Sequence, residues 1–239
     1  NFGRHRMDGE APQKTENLSG SGPGGLVISS DLRAAYAPDV TLNGAGQTIA
    51  ILSWGQVFPN DITQFERANG LPDVNVQAVP VNGFSTTPPE GFSDDAEWAL
   101  DVQMAMSMAP GATILVYEGN NIDDILNKIA DDDIAKHVST SGGYYPASAM
   151  LPNIVSEFSA QGQSFYAASG DNGAYTNAIF ETTNILIYQP TTYPNMTAVG
   201  GTVMTLAQHG GPWVSETAWS GSGGGWYPDV AIPSYQQGI

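Results

Sequence analysis

The sequence predicts an α/β fold in which a mostly parallel central sheet is flanked by helices on both faces. Two observations carry that expectation. Apolar runs of about 5–7 residues alternate with helical stretches of about 10–15, the pattern of βαβ units whose strands are buried on both sides. Two of those runs also end in small, Gly-containing loops, as strands do where an α/β sheet opens toward a ligand. The chain has 239 residues, 41% of them hydrophobic and 10% aromatic, enough for one large domain with a real core.

Residues 1–25 are polar and Gly-rich and hold three of the seven basic residues, so they read as a leader, linker or propeptide remnant outside the core. Order is expected from Leu26, with Ser30-Asp31 as the N-cap of a short helix DLRAAYA. Thr48–Ser53 is an apolar run of strand length, entered through Asn43-Gly44. Asp61–Asn69 suits a helix that Gly70 ends. Val74–Val79 alternates as a strand. Residues 94–109 read as a helix stopped by Pro110-Gly111, followed by a buried strand at Thr113–Tyr117. The pattern continues with helix Ile122–Ala135, strand His137–Ser141, helix Ala147–Gln161 and strand Ser164–Ala168. After residue 172 the sequence fades into turns, including the Gly-rich stretch WSGSGGGWYP at 219–228. The chain stops just after VAIPSYQQGI, with no closing helix or strand, which reads as a cut within a larger domain.

Composition narrows the partners. There are 24 acids against 7 Lys and Arg, a formal net charge of −17 and a pI near 4.1. Such a surface repels phosphate backbones, which argues against nucleic acid. Plain solubility, halophily and service in acid all fit the charge. No apolar run reaches the roughly 20 residues of a membrane span. With no cysteine there is no thiol chemistry and no disulfide to report a compartment. Asn17-Leu-Ser19 and Asn195-Met-Thr197 are glycan acceptor patterns.

The helix at 94–109 carries the sharpest feature. Glu97 and Asp101 stand four residues apart, on one face of a helix that also carries Trp98, Leu100, Val102, Met104, Met106 and Met108. At about 5 Å and an effective dielectric of about 20, two ionised carboxylates repel by roughly 3 kcal/mol, or about 2 pKa units. On an exposed face, with Asp94 and Asp95 nearby, the cost drops to a few tenths of a kcal/mol. Partly buried among the apolar residues, the pair would share a proton and titrate as a unit, which suits acid–base work at low pH.

The strand-end loops Ser139–Gly143 and Ser169–Gly173 read either as tight turns or as places where a substrate backbone approaches closely. Asp171 in Ala-Ser-Gly-Asp-Asn-Gly is either a turn-capping residue or a neutral acid able to donate a hydrogen bond to a developing oxyanion. The three histidines, His5, His137 and His209, are isolated and follow no metal-ligand spacing, so neither a His-based triad nor a catalytic zinc is expected in this segment. A two-carboxylate glycosidase using Glu97 with Asp171, and five Trp as sugar platforms, is a further reading. The Glu97/Asp101 pair fits it poorly, because the second carboxylate must lie across the sugar ring.

Taken in order, LVISSDLRAAYAP, GQTIAIL, EWALDVQMAMSMAPGATI, FYAASGDNGA, YPNMTAVGGT, ETAWSGSGGGW and IPSYQ resemble successive segments of the sedolisins, the serine-carboxyl peptidases. The resemblance runs over roughly residues 26–239. It implies a subtilisin-like fold, read here as the N-terminal part of a single catalytic domain, and a secreted endopeptidase active in an extracellular or acidic compartment on protein or peptide substrates. It implies Glu97 as the general base toward a serine hydroxyl and Asp101 as its orienting partner. Asp171 becomes the protonated oxyanion-hole acid, with Ser141, Gly142 and Gly143 along the substrate.

The departures from the family pattern are specific. The nucleophile belongs to a Gly-Thr-Ser motif that this sequence lacks; Gly201-Thr202-Val203 has Val in place of Ser and belongs to an earlier segment. The serine and the calcium ligands are therefore expected beyond Ile239, in a continuation or a second chain, and no metal ligand is assigned here. Some members carry an acid where Ser53 stands and a Trp where Gly142 stands, so their substrate preference does not carry over. A non-catalytic homologue that binds peptide or a partner protein is the alternative.

Overall fold

A computed structural model describes residues 20–87, 96–143, 148–173, 190–208, 210–225 and 230–238. Within them contacts define two compact units, one built from residues 20–141 and 204–216, the other from 142–203 and 217–238. Asp94, Asp95, His5, His209 and the Asn17 sequon lie outside the described residues, as do Ala147 and the 226–228 end of the Gly-rich stretch.

The first unit begins with α1 (Ser29–Tyr36). Its N-cap is Ile28, two residues earlier than expected, because Asp31 is used differently. Fully buried, Asp31 accepts the Ile28 N–H at 3.0 Å, the Ser21 N–H at 2.8 Å and the Ser21 hydroxyl at 2.6 Å. A buried carboxylate with that many donors ties residue 21 to the helix start.

The expected strands and helices follow in order: β1 (Thr48–Ser53), α2 (Pro59–Asn69), β2 (Asn75–Pro80), α3 (Ala96–Met108), β3 (Thr113–Glu118), α4 (Ile122–Asp132) and β4 (His137–Thr140). Gly70 closes α2 in the left-handed conformation. Helix α4 stops three residues before the expected Ala135, because Asp133 turns left-handed at φ 44°.

The strands pair in the order β2-β3-β1-β4, all parallel. Alternation assigns the two faces. Ile51, Ile114 and Val116 pack with Trp98, Val102 and Met106 of α3 and with Ile62 of α2. On the opposite parity, Tyr117 donates a hydrogen bond to Asp132 at the end of α4 at 3.0 Å. Helices therefore cover both faces of β3, as a parallel sheet requires.

The second unit holds α5 (Leu151–Ala160), β5 (Ser164–Ala168) and β6 (Thr197–Val199), with β5 and β6 parallel. Phe158 of α5 meets Phe165 of β5 edge to face at 5.4 Å. Strands β7 (Thr202–Leu206) and β8 (Trp213–Ala218) pair in a small sheet of their own. Strands β6, β7 and β8 correct the expectation of turns after residue 172. They are short and largely exposed, so they lack the continuous apolar signature that marks β1 or β3.

Candidate active site

Helix α3 brings Glu97 into its first turn and Asp101 one turn later. An acid in the first turn faces the unpaired N–H groups there, a favourable place for negative charge. The helix is not enclosed all round, as its apolar sequence suggested. Glu97 is exposed, and Leu100 and Met104 are 46% and 39% exposed, while Trp98, Val102 and Met106 face the sheet.

Asp101 is half-buried and held from one residue. The Ser141 N–H donates to its Oδ2 at 2.9 Å, and the Ser141 hydroxyl donates to its Oδ1. Two donors on two oxygens fix the plane of the carboxyl. Burial raises the Asp101 pKa above the ordinary carboxylate value, and the two bonds from Ser141 pull against that rise. Ser141, expected to line the substrate, thus turns its hydroxyl and N–H toward Asp101, directly after β4. Gly142 and Gly143 follow it, both partly exposed.

In the second unit, Ser169 and Gly170 follow β5 and deliver Asp171 to a turn. Gly170 has φ 104°, a conformation open to glycine. The Gly-rich segment straps this turn. Gly223 N–H donates to Gly170 O at 2.6 Å, Ser169 Oγ donates to Gly223 O at 2.7 Å, and Gly173 N–H donates to Gly221 O at 3.0 Å. The Ser222 hydroxyl accepts the Gly201 N–H at 3.0 Å. Asp171 is exposed over much of its surface, yet partial burial of its carboxyl raises its pKa.

Comparison with known proteins completes the picture. No family model matches the chain. Kumamolisin of Bacillus sp. (strain MN-32) is 30% identical over 98% of this chain and 45% of its own length. Sedolisin of Pseudomonas sp. (strain 101) is 29% identical over 80% of this chain and 38% of its own. A solved structure of Pseudomonas sedolisin, a serine-carboxyl proteinase complexed with pseudo-iodotyrostatin, superposes with a TM-score of 0.73 at 27% identity, over 91% of this chain and 66% of that one. The chain belongs to the sedolisin family. It spans less than half the length of the two curated relatives named. The subtilisin-like parallel sheet is that of the sedolisin structure.

Two features of this sedolisin-family chain escaped the sequence. One is the Gly221–Gly223 strap: a glycine run signals close backbone approach, but not which backbone approaches. The other is Glu118, the last residue of β3. It is 0% exposed, with Oε1 accepting the Val57 N–H at 2.9 Å and Oε2 without a partner among the described residues. Its only sequence signal is an acid closing the apolar run TILVY.

Burial raises the Glu118 pKa from 4.5 to about 7, against the pull of the Val57 bond. The folded protein therefore keeps a proton that the unfolded chain releases. The resulting stability is complete below pH 4.5 and is lost as pH climbs through about 7, a change of about 3 kcal/mol. Asp101 and Asp171, also raised, act in the same direction. Thermal melts should show the melting temperature falling between about pH 5 and about pH 7.5, with a shallower fall in Glu118→Gln. A stability that rises toward neutrality would contradict this assignment.

Among the described residues no group of three or more acidic or histidine side chains could hold a metal ion. No described helix is long and apolar enough to cross a membrane.

Proposed function

We propose that the chain is the N-terminal portion of the catalytic domain of an acid-active serine-carboxyl endopeptidase, with residues 1–25 as a linker or propeptide remnant. Glu97 takes the proton from a serine hydroxyl supplied beyond residue 239 as that oxygen attacks the substrate carbonyl. The same proton then passes to the leaving amine, and the acyl-enzyme is cleared by a water that Glu97 deprotonates in turn. Asp101 orients Glu97 from one turn along the helix. Asp171, kept neutral, donates a hydrogen bond to the oxyanion. The backbone of Gly142 and Gly143 lies along the peptide.

One observation carries this reading: Ser141 holds Asp101 by two bonds directly after β4, with Glu97 one helical turn away. A merely solvated acidic face has no need of a fixed carboxyl plane. The calcium of the resemblance would draw its ligands from beyond residue 239. Secretion into an acidic or extracellular setting fits the excess of acids, and Asn195 of the second sequon is exposed to a glycan.

The test is hydrolysis of a denatured protein substrate by the full-length protein across the acid to neutral range. Activity should be highest at acid pH and drop at least about tenfold toward neutrality, because burial favours the protonated forms of Asp101 and Asp171 there. Peptide binding without turnover at any pH would identify a non-catalytic homologue instead.

A further inference from the structure

The C-terminal ends of the strands hold a buried arrangement that the proposed reaction leaves unused. Register sets Glu118 between Ser53 of β1 and Pro80 of β2. Ile51 of β1 pairs with Ser139 of β4. Glu118 and Ser53 thus share one row of the sheet, and Ser141, the holder of Asp101, follows directly after β4.

Alternation places the Glu118 side chain on the face of Ile114 and Val116, the face that packs against α3. The Asp101–Ser141 bonds set the N-terminal half of α3 over the strand ends. On that half, Trp98 is 4% exposed and its Nε1 has no partner among the described residues. Its ring meets Trp54, the residue after Ser53, edge-on at 5.2 Å. Val57, whose N–H binds Glu118, belongs to the same cluster as Trp98. A buried N–H donor and a buried carboxyl oxygen, both without partners among the described residues, share one layer. Such pairs are the usual seat of an internal water.

We infer that Glu118 is a positioning residue: bridged to the Trp98 N–H through one bound water, it anchors the first turn of α3 and so sets the direction of Glu97 and Asp101. The role rests on the peptidase reading for its kinetic consequence but not for its structural one. The other charged groups of the elements packed on this face are Glu97 and Asp101 on α3, and Asp61, Glu66 and Arg67 on α2. Glu66 is committed to the Val74 N–H, and Arg67 is exposed. Glu118 makes no ion pair among the described residues, so its ionised form is a buried charge that the Val57 N–H compensates only in part, and the anchor loosens when the proton leaves.

The experiment follows tryptophan fluorescence of the full-length protein from about pH 5 to about pH 8, together with steady-state kinetics. Wild type should show a transition near neutrality that disappears in Glu118→Gln and in Trp98→Phe. Glu118→Gln should keep acid-pH kcat within about twofold and extend activity to higher pH, because an amide holds the water without ionising. Glu118→Leu should lower kcat about tenfold with KM within about twofold. A fluorescence profile flat through neutrality, or a transition persisting in Glu118→Gln, overturns the inference, as does an unchanged kcat in Glu118→Leu. An inactive wild type that still titrates, and loses the transition in Glu118→Gln, would defeat the peptidase reading and leave the anchor standing.

Discussion

Glu97→Gln lowers kcat roughly 10³-fold at acid pH while KM stays within about threefold and the melting temperature is unchanged. The residue is exposed in the first turn of α3, so an isosteric amide disturbs no packing. What it removes is the only proton acceptor proposed for the serine. Removing Ser141→Ala should be milder, about fivefold to tenfold, because the backbone N–H at 2.9 Å still holds one oxygen of Asp101. Asp101→Asn should fall between the two. The amide still occupies the site, but its NH₂ cannot accept one of the Ser141 bonds, so the orientation of Glu97 suffers. Steady-state kinetics on a chromogenic peptide separates the three. A Glu97→Gln enzyme with full activity would defeat the mechanism.

Gly223→Ala loses activity by another route. A Cβ at Gly223 would stand 2.0 Å from the Ser169 carbonyl oxygen, 2.4 Å from its carbon and 2.6 Å from the Gly170 oxygen. All three are backbone atoms and cannot swing aside, so the strap must lift from the turn that carries Asp171. The expected cost is about 3 kcal/mol, a fall of roughly 10 °C in melting temperature, with activity reduced more than stability alone explains. Gly224, where an added Cβ meets nothing within 4 Å, is the control: Gly224→Ala should stay within about 0.5 kcal/mol of wild type. Equal stability and activity in the two variants would remove the strap from the account.

How much of this was legible in the sequence follows from range. Strands β1 and β3 announced themselves because a parallel strand buried on both faces must be apolar along its length. The acid pair of α3 was visible because four residues is one turn, a local relation. Strands β6 to β8 were not visible, since three to six exposed residues carry no pattern distinct from a loop. The grip of Ser141 on Asp101 spans 40 positions, and that of Ser169 on Gly223 spans 54. No periodicity reaches so far. The sequence also misjudged how enclosed α3 is, because apolar residues on a helix do not report which of them finds a neighbour.

Those two separations bear on timing during synthesis. Asp101 leaves the ribosome well before Ser141, and Ser169 well before Gly223. At roughly 5–20 residues per second, each acid or its turn emerges some 2 to 10 seconds ahead of the segment that fixes it. Closing such distant contacts is also the slow part of folding. A nascent chain therefore carries Asp101, and the turn that holds Asp171, unfixed until those later segments have emerged.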